Sequence, residues 1–256
     1  MRKVILISID GMRPDGWTGC GHPFVERMMS LGSYALDART VFPSVTLPCH
    51  LSLFHSVVPQ RHGVLSNQYL PFVHPVKGLF ELIADQGLDS AMFYGWEPLR
   101  DVSRPGSLRY AEFIHSYSDE HTDALLTDRA LACIRAHHSD FVFLYMVETD
   151  EKGGHDNGWM TEAYLQRIAA AIDNVRRVYE QAGDEYTILV TADHGGHDRM
   201  HGTDSKEDMT IPICLIGPGF APARRLKDVS ILDLAPTVAS CLELHVPKEW
   251  EGKSLL

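Results

Sequence analysis

Cysteine is scarce in this 256-residue chain, and what there is forms no pattern. Cys20, Cys49, Cys133, Cys214 and Cys241 are scattered, odd in number and without a C-x-x-C pair. That excludes a disulfide framework and a thiolate metal site. No apolar run approaches the roughly 20 residues of a membrane span. Residues 1–9 are basic and then apolar, as an export signal would be, but the run is short and Asp10 ends it without a cleavage site. A cytoplasmic protein is expected, with its first strand close to the N-terminus. No stripe of Lys or Arg runs along the chain, and 34 acidic against 23 basic residues leave a formal charge of -11. Binding to a nucleic-acid duplex is therefore not expected. Repeats, low-complexity tracts and Pro/Ser-rich linkers are missing too. The rest is the composition of a soluble globular protein, 45% hydrophobic and 22% charged, long enough to bury a sizeable core.

Continuous β-branched and apolar runs at 4–9, 141–147, 186–191 and 211–216 predict strands buried on both faces. Helical patterns lie between them at 24–31, 47–57, 77–85, 122–136, 162–181 and 232–242. Ser230 and Asp233 form a capping-box pattern at the start of the last. Such alternation predicts an α/β fold, a mainly parallel sheet between helices, over 1–256 as a single domain. The irregular stretch 67–121 leaves room for a small cap or insertion, and it would shape any pocket.

In open α/β sheets, ligands bind beyond the carboxyl ends of the strands. Three expected strand ends carry acidic residues and histidines. Asp10 lies in I-D-G, either a turn aspartate or a carboxylate facing the crevice. Asp193 and His194 open T-A-D-H-G-G-H-D-R-M-H-G-T, with His197 and His201 following. Zinc favours His nitrogen and Asp oxygen, although a solvated polar loop would read alike. Asp150 and His155 in E-T-D-E-K-G-G-H repeat the theme, with Gly153 and Gly154 allowing the chain to fold back. Thr46 in F-P-S-V-T-L-P-C-H stands before Pro48 at an expected helix start. It is either an N-cap or a hydroxyl nucleophile, in which case free N–H groups there would favour an anion. Asn67, ending H-G-V-L-S-N, is either a turn residue or an amide able to donate to a phosphoryl oxygen.

Taken in order, I-D-G, P-S-V-T-L-P-C-H, H-G-V-L-S-N, T-D-E-K-G-G-H, A-D-H-G-G-H and H-G-T resemble the alkaline phosphatase superfamily. The resemblance is greatest to its nucleotide pyrophosphatase/phosphodiesterase branch. D-L-A-P-T-V at 233–238 and the closing W-E-G-K-S-L extend it almost to the end of the chain. It implies an alkaline-phosphatase-like three-layer α/β/α sandwich and a metal-dependent hydrolase of small phosphate esters or nucleotides. It also implies two divalent cations, Zn2+ before Mn2+. Asp10, Thr46, Asp193 and His194 would surround one cation, and Asp150, His155 and His201 the other. Thr46 would be the nucleophile, and Asn67 would contact the phosphoryl group. His197 matches no ligand position and is a candidate for orienting a ligand from behind.

One spacing departs from the branch. Its Asp stands four residues before the histidine, whereas Asp150 stands five before His155 and Glu151 four. Relatives of phosphopentomutase share the longer spacing, so Asp150 is the expected ligand and Glu151 the alternative. The other readings are a phosphomonoesterase or phosphonate hydrolase on the same scaffold and, more distantly, a non-catalytic metal-binding module. A sulfatase fits less well, because that branch needs a cysteine or serine where Thr46 stands.

Overall fold

The computed structural model describes residues 3–72 and 75–256. Its strands are β1 (Lys3–Ile9), β2 (Ser33–Arg39), β3 (Ser90–Tyr94), β4 (Tyr110–Phe113), β5 (Phe141–Met146), β6 (Tyr186–Thr191), β7 (Thr210–Ile216) and β8 (Arg224–Arg225). Its helices are α1 (Pro14–Gly19), α2 (Phe24–Leu31), α3 (Thr46–His55), α4 (Pro59–His62), α5 (Leu79–Asp85), α6 (Thr122–His137), α7 (Glu162–Ala182), α8 (Lys206–Met209) and α9 (Leu234–Cys241). The strands form one sheet in the order β4-β3-β5-β1-β6-β7-β2-β8. From β4 to β6 every pairing is parallel; β7 runs antiparallel to both β6 and β2.

The central strands are the four apolar runs. β5 and β6 are buried at every position and β1 at all but Lys3, because helices cover both sheet faces. One helical group joins α6 and α7 to α1 and α2; another joins α3 to α5 and α9. This is the expected α/β/α sandwich. Its other strands have weaker signals: β2 alternates buried and exposed positions, β4 is an edge strand and β8 has two exposed arginines. The 67–121 stretch supplies β3 and β4 to the main sheet.

The closing motif braces the helix that carries Thr46. Ser230 and Asp233 form a capping box on a short 3-10 turn, Ile231–Asp233, that leads into α9. Asp233 and Thr237 also accept the backbone N–H groups of Lys253 and Leu255, while Ser56, at the end of α3, accepts that of Gly252. D-L-A-P-T-V and W-E-G-K-S-L thus form one buttress. Among the described residues no helix is long and apolar enough to cross a membrane.

Candidate active site

β1 lies between β5 and β6 in level register, Ile9 opposite Met146 and Ser8 opposite Thr191. Their carboxyl ends therefore deliver Asp10, the segment bearing Asp150, and Asp193 to one place. Gly11 makes the approach possible. Its φ is +64°, and a Cβ there would lie 2.8 Å from Asp150 Oδ1. The I-D-G pattern answers both needs.

Each of these buried carboxylates has one oxygen braced by the protein and one left over. Asp10 Oδ2 accepts the Tyr145 hydroxyl, and Asp193 Oδ1 accepts the His194 N–H at 2.9 Å and the Gly11 N–H at 3.3 Å. Asp150 Oδ2 faces His155 Nε2 at 3.4 Å. Asp10 Oδ1, Asp150 Oδ1 and Asp193 Oδ2 are buried with no hydrogen-bond partner. Burial without a partner costs several kcal/mol per charged group, so something else normally compensates.

The histidines are braced the same way. Nδ1 of His194 lies 2.7 Å from Gly195 O, that of His155 3.0 Å from Arg199 O, and that of His201 2.9 Å from Ser44 O. For His194 and His201, donation to a carbonyl puts the proton on Nδ1 and leaves the Nε2 lone pair free, which is how imidazole ligands are usually oriented, whereas Nε2 of His155 is engaged by Asp150. His194 Nε2 lies 3.2 Å from Asp10 Oδ1, 3.4 Å from Asp193 Oδ2 and 3.2 Å from Thr46 Oγ1. Around a tetrahedral zinc with bonds of about 2.0–2.2 Å, ligand atoms stand roughly 3.3–3.6 Å apart. The donor set fits such a cation. A second group is Asp150, His194 and His201. The imidazoles of His194 and His201 stack at 3.9 Å, so His194 stands between the two donor groups rather than wholly in one.

The five-residue spacing has a structural cause. Residues Thr149–His155 form a π-helix, whose wider, i to i+5 bonded turn brings Asp150 round to His155. Glu151, one residue on, accepts a hydrogen bond from Ser116 Oγ instead. Gly153 and Gly154 do not fold the chain back through positive φ; they sit close against Tyr164 and Trp159.

Thr46 is not an N-cap. Val45 holds that position and Thr46 is the first helical residue, nearly buried, with Oγ1 on His194. Neither are the next N–H groups free: Leu47 donates to Asn67 Oδ1 at 3.0 Å, and Pro48 has none. That bond fixes the Asn67 amide with its NH2 as the unused end. His197 turns away from this cluster and bonds Asp208, whose other oxygen accepts from Thr203 N and Oγ1, tying the middle of the 193–203 loop to its end.

The charges are mutually dependent. Burial, then the neighbouring Asp193 and Asp150, raises the Asp10 carboxyl well above the usual range; burial carries Asp193 to about 7. Burial would raise Asp150 too, but its bond with His155 and the other imidazoles hold it low, and that bond raises His155 to about 9. Burial lowers His201 to about 4.

Sequence reasoning passed over three residues. His50 is buried, with Nδ1 2.8 Å from Thr46 O and 3.4 Å from Asp193 Oδ2, and Nε2 3.1 Å from Ser8 Oγ. Its signal was the i+4 offset from Thr46. Tyr145 could have been found from its strand pairing with Ser8, once β1 and β5 were known neighbours. Trp96 had no local signal. A cavity of about 140 Å³ holds the set, lined by Asp10, Thr46, Asn67, Asp150, His155 and His201, with Trp96, Tyr145, Val147 and Glu151 completing its wall.

Comparison with known proteins agrees with this architecture. Residues 4–207 match the family model of type I phosphodiesterase/nucleotide pyrophosphatase. A 2,3-bisphosphoglycerate-independent phosphoglycerate mutase of Acetivibrio thermocellus is 30% identical over 138 residues, 51% of this chain and 26% of that protein. Ectonucleotide pyrophosphatase/phosphodiesterase family member 1 of Rattus norvegicus is 25% identical over 219 residues, 75% of this chain and 24% of that one. The chain thus spans about a quarter of the length of these curated relatives. Among solved structures, murine ectonucleotide pyrophosphatase/phosphodiesterase 5, as an inactive variant with AMP, superposes with a TM-score of 0.83 at 15% identity, covering 98% of both chains. A phosphonate monoester hydrolase from Silicibacter pomeroyi gives 0.77 at 16% identity, covering all of this chain and 76% of its own. The fold is alkaline-phosphatase-like, and the chain belongs to the type I phosphodiesterase/nucleotide pyrophosphatase family of phosphate-ester hydrolases.

Proposed function

We propose that this chain hydrolyses phosphate diesters or nucleotide pyrophosphate bonds through a phosphothreonine on Thr46. Two divalent cations, zinc by preference, would be held by Asp10, Thr46, Asp193 and His194 and by Asp150, His155 and His201. Cations bound there supply Lewis-acid stabilisation to the attacking and leaving oxygens. Thr46 Oγ1 gives its proton to solvent and bonds to phosphorus as the bond to the leaving oxygen breaks, and that oxygen takes a proton from solvent. Water then attacks the phosphothreonine, restoring the hydroxyl and releasing the phosphorylated product. Asn67, tied by Oδ1 to Leu47, turns its NH2 to the transferred group, where donors act on developing charge. Helix α3, held by His50 and the C-terminal buttress, keeps the nucleophile in place.

The observation that carries this reading is the convergence of three partnerless carboxylate oxygens beside the Thr46 hydroxyl. A solvated polar loop would not bury them. Preference for diesters rests on the cavity wall, since none of the described residues lining it is Lys or Arg. A monoester dianion would meet Glu151 there and neither Lys nor Arg. The test compares bis-p-nitrophenyl phosphate, thymidine monophosphate p-nitrophenyl ester and p-nitrophenyl phosphate, with zinc and after chelation. Zinc-dependent turnover favouring the two diesters is expected. A preference for the monoester would move the assignment to a phosphatase, and no turnover with any of them would leave a metal-binding module.

A further inference from the structure

Both metal-ligand loops carry a G-G-H tripeptide, and positive φ explains neither. One side chain accounts for the second glycine of each, while the first glycines face Tyr164 and Glu207 O. The indole of Trp159 packs on Gly154 and Gly196 so closely that a Cβ at the first would lie 2.5 Å from Cζ2, and at the second 2.2 Å from Cε2. Its ring centroid is 5.2 Å from that of His155 and 6.1 Å from that of His201. Its Nε1–H donates to Gly11 O at 2.9 Å, one residue past Asp10, and its backbone N–H donates to Asp198 O at 2.8 Å. A single, nearly buried residue therefore touches the turn after β1, the π-helix and the 193–201 loop. Every proposed carboxylate ligand lies on one of those segments.

We propose that Trp159 is a positioning residue that sets the two donor groups relative to each other, so that both cation sites depend on it together. The inference rests on the metal reading above but not on the identity of the substrate. Segments from three strand ends have no covalent reason to keep a fixed separation. A rigid, two-torsion side chain locked by one hydrogen bond and two glycine contacts supplies one. Gly154 and Gly196 are then small because the indole occupies the volume of their side chains.

The test measures zinc binding to the metal-stripped protein by competition with a chromophoric chelator. Wild type is compared with Trp159→Phe and with Tyr186→Phe. Tyr186 is the control, as its hydroxyl donates to Ser139 O at 2.9 Å, a buried bond at the start of β6 that meets no proposed ligand. Trp159→Phe should weaken zinc at both sites by about 10–100-fold, the range seen for groups that orient ligands. With zinc restored, kcat should fall more than KM rises. Tyr186→Phe should lower Tm without moving either affinity. Equal zinc affinities in wild type and Trp159→Phe, or loss at one site alone, would overturn the inference. A wild type that binds no zinc would instead sink the metal reading itself. Should Trp159→Phe fail to fold, wild type labelled with 5-fluorotryptophan decides. The Trp159 resonance must shift with both zinc-binding events, Trp96 being identified by its own Phe variant; a shift with neither or only one rejects the role.

Discussion

At the scale of single residues, the site divides its labour within each side chain. One carboxylate oxygen or imidazole nitrogen is fixed by the fold and the other is turned inward, so the protein itself holds these donor atoms in orientation. Thr46 and Asn67 follow the same rule, one directed at His194 and the other anchored to Leu47. Thr46→Ala should keep its zinc, since Asp10, Asp193 and His194 remain, while turnover falls at least about 10³-fold. Metal analysis beside the substrate panel checks both halves, and undiminished turnover would remove Thr46 as nucleophile. Asn67→Ala removes the donor and also frees the Leu47 N–H. Its kcat should fall by roughly 10²-fold with metal content unchanged. Asn67→Asp, which keeps the acceptor alone, should be no better.

Among elements, the π-helix bears on a choice that spacing left open. On a regular α-turn, four residues separate groups on one face, and Glu151 would have faced His155. The wider turn brings Asp150 round instead and sends Glu151 to Ser116. Asp150→Asn should therefore lower zinc stoichiometry, whereas Glu151→Gln should retain two zinc ions per chain; the reverse pattern would exchange their roles. The 193–203 loop offers a second test through its clamp. Burial works against the Asp208 carboxylate, but its bonds from His197 and Thr203 hold it below the usual range, and the bond to Asp208 raises His197. A lowered carboxyl stabilises above its unfolded value and loses that as pH falls through the folded one. A raised imidazole stabilises below its unfolded value and loses that as pH rises through the folded one. The clamp is thus strongest between about pH 4 and 6.5. Asp208→Asn should cost about 1–3 kcal/mol there, a Tm loss of roughly 3–10 °C, with a smaller difference from wild type above neutrality. A pH-independent difference in thermal melts would show that the charge pair contributes nothing.

On the scale of the whole molecule, three acidic groups crowd the meeting point of the central strands in a chain of formal charge -11. Such a centre is destabilising until a cation fills it, and a cation that binds only the folded state stabilises that state by mass action. Zinc at about a hundred times its dissociation constant should add roughly 2.7 kcal/mol per site. Tm should rise by about 5–10 °C for each site filled and fall back on chelation. Calorimetry that shows no zinc-dependent shift would mean the centre is not a metal site.

Much of this was legible in the chain itself. The four buried strands, the α/β class and the residues gathered in the site were readable because a strand buried on both faces must be continuously apolar, and because a cluster of Asp and His just beyond such a strand has few uses. The edge strands were not: β2 alternates, β4 is half exposed and β8 is a pair of arginines, so their pairing depends on neighbours brought in from elsewhere. Nor were His50, Tyr145 and Trp159, ordinary core residues until the partners they touch are known. Sequence by itself determined which groups could act, since side-chain chemistry and order along the chain are local properties. Only the tertiary structure decided that Asp150 rather than Glu151 faces His155, that Thr46 meets His194 instead of capping its helix, and which oxygens remain without partners. Those outcomes depend on distances between residues more than a hundred positions apart, or on a single turn's pitch, and no spacing along the chain encodes them.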